Sequence, residues 1–165
     1  MALIIQNAVT DMEEQYRIWG ANCGPTALAA FLRMKVAEVR PFVEAVQGGK
    51  FLGYMNAGHM VSAIRQAGRE PWRVDYSRGE VRWPKERGVC LLQFDGPWLE
   101  SGVPFKARFK YTHFVAATRD GALIYDGNAN AWMDQAFWNE KIMRVLQRDF
   151  RRATGWYTAV VIEVR

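Results

Sequence analysis

The apolar residues of this chain change their period partway along it, and that change restricts the folds open to it. From Thr26 to Met34, Ala27, Ala30, Phe31 and Met34 recur at helical spacing. Val36 to Val46 predicts a shorter second helix, with Pro41 at a start or a bend, and Gly48-Gly49 breaks it. A third helix is expected from about Gly58 to Ala67, with Met60, Val61 and Ile64 inward and Gly68 as its stop. Beyond it the pattern turns to strands. Trp72 to Tyr76 and Val89 to Phe94 are apolar runs bounded by Gly and Pro, and Gly96 to Pro104 reads as a loop. Tyr111 to Thr118 and Ala122 to Asp126 form a hairpin closed on Asp120-Gly121, a favoured two-residue turn. Asp134 caps a helix striped by Trp138, Ile142, Val145 and Leu146, and Trp156 to Val164 is a last strand. Helices first and an antiparallel sheet afterwards make an α+β domain.

The 165 residues suit one domain, and the half that are hydrophobic exclude a disordered chain. Two cysteines are too few for a disulfide scaffold. No apolar stretch approaches the ~20 residues of a membrane span, and MALIIQNAV has neither a basic segment nor a cleavage site. The expectation is a cytoplasmic protein as made, without a membrane partner, with export by a non-Sec route left open. Net charge is +5, concentrated at Lys106, Arg108 and Lys110 and at Lys141, Arg144, Arg148, Arg151 and Arg152. Such a face is ordinarily solvated, although it also suits an anionic polymer or an acidic partner. Phe105 to Tyr111 alternates aromatic and basic residues, a pattern that on a strand tracks single-stranded nucleic acid. Burial of the aromatics is the simpler account, and no nucleic-acid partner is expected.

Candidates for chemistry are few. Cys23 stands where a loop rich in Gly and Asn meets the first turn of a helix, where free N–H groups and the helix dipole favour a thiolate. Cys90 lies in the apolar run Val89-Cys90-Leu91-Leu92 and reads as an inert core thiol. A nucleophilic thiol needs a base, and the base needs an orienting group. A two-residue turn at Asp120-Gly121 pairs Arg119 with Ala122, sets Val115 opposite Asp126 and His113 opposite Asn128, and directs all four side chains to one face. Either Asp126 or Asn128 then accepts from the His113 imidazole. His59, in the first turn of the third helix, reads as a surface or capping residue. For an oxyanion, the Cys23 backbone N–H is one natural donor, with Asn22 or Gln15 as side-chain candidates. There is no HExxH, no Cys/His cluster with ligand spacing and no phosphate-cradling loop, so neither metal nor cofactor is expected.

Trp19-Gly20-Ala21-Asn22-Cys23-Gly24-Pro25-Thr26-Ala27-Leu28 resembles the nucleophile segment of papain-like cysteine peptidases, most closely the branch of double-glycine leader peptidases that process bacteriocins. Thr112-His113-Phe114-Val115-Ala116 and Ala122-Leu123-Ile124-Tyr125-Asp126 are similar to that branch's histidine and aspartate strands, in the order Cys, His, Asp. The resemblance implies a papain-like fold, with helices on an antiparallel sheet. It also implies a thiol hydrolase of bacterial or phage type acting on a peptide or protein: Cys23 as nucleophile, His113 as base and then acid, Asp126 orienting the imidazole. The family's oxyanion glutamine falls six residues before the cysteine, where this chain has Arg17; Gln15 is two residues further upstream. Two other readings stand beside this one: a papain-like binding module with weak or lost catalysis, and a cell-wall peptide amidase of the same chemistry.

Overall fold

The computed structural model describes residues 2–108, 110–150 and 152–165, leaving aside the side chains of Phe105 and Lys106. A short strand β1 (Ile4–Gln6) precedes four helices, α1 (Met12–Trp19), α2 (Cys23–Leu32), α3 (Val36–Val46) and α4 (Ala57–Gln66). Then come β2 (Pro71–Tyr76), β3 (Gly88–Asp95), a helical turn α5 (Phe105–Arg108), β4 (Thr112–Ala117), β5 (Leu123–Asp126) and β6 (Ala131–Asp134). The chain closes with α6 (Gln135–Trp138), α7 (Arg144–Asp149) and β7 (Gly155–Val164). All seven strands join one antiparallel sheet in the order β1-β6-β5-β4-β3-β7-β2. The α+β class read from periodicity is the class observed.

Both faces of the sheet are covered. Val89, Leu91, Phe114, Ala116, Tyr125 and Ile162 pack against α2, α3 and α4. Cys90, Leu92, Val115, Ala117, Ile124 and Val161 pack on the other side against Trp138 and Met143. Burial on both faces explains why β3 is apolar almost without interruption. It also explains α2, whose Ala27, Leu28, Ala29, Ala30 and Phe31 are buried around the whole helix. A helix without a polar face belongs inside, and its small side chains let it lie close to the sheet. Among the described residues no helix is long and apolar enough to cross a membrane.

The Asp120-Gly121 turn forms as expected. Asp120 (φ 53°) and Gly121 (φ 71°) both adopt the left-handed region that a type I′ turn requires, and the Ala122 N–H donates to the Arg119 carbonyl at 2.9 Å. The ladder then pairs Ala117 with Ile124 and Ala116 with Tyr125, the register the turn dictates.

Four expectations need correction. β1 and β6 were not anticipated: they are three and four residues long and pair with each other across almost the whole chain. The last helical segment has its Asp134 cap, the carboxylate accepting from the Phe137 N–H at 2.9 Å, but its stripe differs. A π-helical turn over Asn139–Met143 inserts one residue, turning Met143 inward and leaving Val145 40% exposed. Phe105–Arg108 is helical, so aromatic and basic residues do not alternate along a strand there; Lys106 as a side chain, Phe109 and Arg151 lie outside the described residues. Pro41 sits inside α3 and does not start it.

Candidate active site

α2 begins ahead of the periodic run from Thr26, and this places Cys23 itself at the first helical position. Asn22 is the N-cap: its side-chain oxygen accepts from the Gly24 N–H at 3.3 Å. A helix start has four backbone N–H groups without an intrahelical partner. Gly24 is capped by Asn22, Pro25 has no N–H, and the Thr26 N–H already donates to the Asn22 carbonyl at 3.2 Å. Among the described residues the Cys23 N–H, like that of Asn22 before it, has no partner.

β4 and β5 bring the partners. His113, the second residue of β4, and Asp126, the last of β5, project from the sheet face that also carries Val115 and Ile124, and both are buried. The imidazole Nε2 lies 2.9 Å from Asp126 Oδ2. The other ring nitrogen, Nδ1, is left to face Cys23, whose sulfur lies near enough to the imidazole and to the backbone N–H of Phe114 for both to favour its thiolate. Cys23 is half-buried.

Between Asp126 and Asn128, both eligible on register alone, the structure selects Asp126. β5 ends there and residues 127–130 turn back into β6, with the Ala129 N–H on the Asp126 carbonyl at 3.2 Å. Asn128 is thereby lifted out of the sheet and exposed, and it contributes its backbone N–H to Asp126 Oδ1 at 2.9 Å.

The charges support one another. Burial works against a Cys23 thiolate, but the hydrogen bond and charge of His113, with the Phe114 N–H, outweigh it and hold the thiol below its ordinary value. Burial likewise opposes an imidazolium at His113; Asp126 first, and Cys23 second, hold its pKa well above the ordinary imidazole value. The Asp126 carboxyl is kept below the usual range, against burial, by His113, by the Trp138 indole N–H at 2.9 Å and by the Asn128 N–H. Cys90 is the opposite case: burial first, and the Glu163 carboxylate second, push its thiol far up.

Gln15 is the buried residue of α1, whereas Arg17 two positions on is exposed. Helical geometry thus turns Gln15, not the residue six before the cysteine, toward the protein. Its carbonyl accepts the Ala21 N–H at 3.3 Å, tying α1 to the loop that delivers Cys23, and its side-chain amide makes no hydrogen bond among the described residues. The Asn22 amide is engaged differently from an oxyanion donor: its Nδ2 donates to the Gly53 carbonyl at 2.8 Å.

Three contributors were not legible beforehand. Trp138 was assigned only to a core stripe, yet it donates to the same carboxylate oxygen as His113. The Phe114 N–H reaches the sulfur through tertiary placement alone. Gly127 follows Asp126 beneath α2; a Cβ there would lie 2.6 Å from Thr26 Oγ1 and 4.0 Å from the Cys23 Cα. An aspartate followed at once by glycine, at a strand end, was the one available signal. His59 is half-buried rather than a surface cap, with Nδ1 3.0 Å from Gln47 Nε2. Searches for kinship found no family model, no curated protein and no solved structure that matches the chain.

Proposed function

We propose that this chain is a papain-like cysteine hydrolase cleaving a peptide, isopeptide or related amide bond through a thioester. The observation that carries the reading is the continuous line from the Cys23 sulfur through the His113 imidazole to a buried Asp126. Nothing in a core needs a buried carboxylate aligned behind a histidine that faces a thiol at a helix N-terminus; nucleophilic catalysis needs all three.

In this reading the Cys23 sulfur attacks the carbonyl carbon and the carbonyl π electrons move to oxygen. The Cys23 N–H receives that oxyanion, with the Gln15 amide as second donor. Imidazolium Nδ1–H gives its proton to the leaving nitrogen, the C–N bond breaks and a thioester remains. Water then gives a proton to Nδ1 and its oxygen to the acyl carbon, and the acid leaves as the thiolate is restored. Asp126 holds Nε2–H throughout, so that Nδ1 faces the sulfur.

Alkylation of each cysteine by iodoacetamide, followed against pH by peptide mass spectrometry, tests the proposal. Cys23 is expected to react well below the ordinary thiol value of about 8.5, Cys90 to stay unmodified in the folded chain, and His113→Ala to remove the difference. A Cys23 that titrates as an ordinary thiol and ignores His113 ends the reading and leaves a binding module.

A further inference from the structure

The chemistry above leaves His59 and the buried Gln47 unused, and the two are in contact. Gln47 follows the last turn of α3 and is 9% exposed. All three of its side-chain interactions bear on what comes next in the chain. Oε1 accepts the Leu52 N–H at 2.9 Å; Nε2 donates to the Tyr54 carbonyl at 2.7 Å and to His59 Nδ1 at 3.0 Å. Leu52 and Tyr54 belong to a stretch with no helix or strand, and Gly53 between them has φ 81°. A stretch of that kind has no ladder of its own, so a buried amide stands in for one. His59 comes from the first turn of α4, which makes the glutamine a tie between α3, the stretch and α4.

The same stretch leans on the nucleophile turn at two points. The Gly53 carbonyl accepts from Asn22, the cap of α2, and buried Met55 packs on Gly24, where an added Cβ would meet its Sδ at 3.0 Å. Phe51 rests on Trp19 of α1, ring centroids 5.0 Å apart. Residues 51–55 are therefore anchored on both flanks of Cys23, while the Leu52 and Tyr54 side chains stay 44% and 55% exposed. We propose that Gln47, held in turn by His59, is a positioning residue that presets residues 51–55 as the wall along which the peptide part of the substrate lies beside Cys23. The proposal rests on the reading of Cys23 as nucleophile. Gln47 touches neither the sulfur nor His113, and the Asn22 cap on Gly24 does not depend on it. Its effect falls on substrate binding and leaves the thiol–imidazole pair alone.

Two alkylating agents of different size separate these effects in the full chain: iodoacetamide, which reads the thiolate only, and a tetrapeptidyl chloromethyl ketone, which must also lie along the wall. Gln47→Ala and His59→Leu should each slow the peptidyl reagent about tenfold while changing the iodoacetamide rate by less than about twofold, as loss of one or two buried hydrogen bonds implies. The loss should appear as weaker reagent binding, with the limiting rate constant retained. His59→Asn, whose Oδ1 can accept in place of Nδ1, should restore the peptidyl rate. Amide exchange at Leu52 should quicken in Gln47→Ala. Equal slowing of both reagents, no slowing of either, or an Asn variant as slow as the Leu variant overturns the proposal. A wild-type Cys23 with no enhanced iodoacetamide reactivity overturns instead the nucleophile reading, and the positioning role with it.

Discussion

Cys23 and Cys90 are the same residue in one small protein, yet their surroundings drive them to opposite chemistry. Cys90 sits mid-strand in β3, opposite Val115 on one side and Val161 on the other, with apolar side chains across both sheet faces around it. Cys23 opens a helix, with a spare N–H of its own, the Phe114 N–H on its sulfur and an imidazole backed by a carboxylate. Cys90 is buried and Cys23 half-buried, and burial works against the thiolate at both, so burial alone does not separate them. What separates them is the number of groups that stabilise a negative sulfur. Reactivity here is a property of where the fold ends its elements: one helix start and two strand ends meet at Cys23, and no element ends at Cys90.

That contrast breaks most severely if the carboxylate is removed. In Asp126→Asn the imidazole loses the charge that holds it protonated, and His113 is left as a buried cation without a counter-ion or becomes neutral. Removing one member of a buried ion pair costs about 3–5 kcal/mol. The dependence on pH has a definite sign. Asp126 is depressed in the fold, so its contribution is present above the unfolded carboxylate value of about 4 and is lost as pH falls through its folded value. His113 is raised, so its contribution is complete below the unfolded imidazole value of about 6.5 and is lost as pH rises through its folded value. Wild type and variant should therefore differ most in urea midpoint between about pH 4 and 6.5, and the difference should shrink as pH falls through the folded Asp126 value or rises through the folded His113 value. A constant difference across pH would mean that the aspartate acts by packing rather than by charge. The same variant should bring Cys23 alkylation toward that of an ordinary thiol.

A smaller effect is expected at the contact between the two halves of the site. Gly127→Ala places a methyl group 2.6 Å from Thr26 Oγ1, which itself bonds the Asn22 carbonyl at 2.9 Å. The first turn of α2 and the end of β5 must separate to admit it, at about 1–3 kcal/mol, the usual cost of overpacking a close contact. Because the displaced helix carries Cys23, its alkylation should slow together with the loss of stability. Thr26→Ala in the same chain removes the oxygen that is struck, and the double variant should recover part of both losses. Strictly additive effects would show that Gly127 matters for backbone freedom and not for this approach.

How much of this contrast could be read from the chain depends on how local the signal is. The helix-start cysteine, the apolar run around Cys90 and the Asp120-Gly121 turn are all carried by neighbouring residues, and each is observed. The turn even carries register across the hairpin, because a I′ geometry leaves no slack in how Ala116 and Tyr125 align. The resemblance implies Asp126, but register alone does not choose it over Asn128, because the choice depends on where β5 stops, and that is set by its pairing with β6. β6 in turn pairs with β1, more than a hundred residues away. The π turn at Asn139–Met143 is likewise invisible to periodicity, which assumes a constant step, and Trp138 reaches Asp126 only because that segment folds back over the sheet. Gln47 left no pattern at all: its three partners lie within twelve residues, but only the folded loop converges them on one amide.

The smallest effect is expected at the other cysteine, and it is the most useful control. Cys90→Ala deletes one buried sulfur from a tightly packed strand, which should cost about 1 kcal/mol of stability. The side chain faces Val115, Ile124 and the aromatic side of the sheet rather than α2, so the Cys23 environment is untouched. Iodoacetamide should then modify Cys23 at the wild-type rate and with the same pH profile, and total incorporation should stop at one label per folded chain. If the Cys23 profile moved, the two sheet faces would be mechanically coupled through β3 and β4, and the separation between an inert core thiol and a reactive terminal one would be a property of the whole sheet. If it does not move, the difference between the two cysteines belongs to their immediate neighbours, and His113 with Asp126 accounts for it.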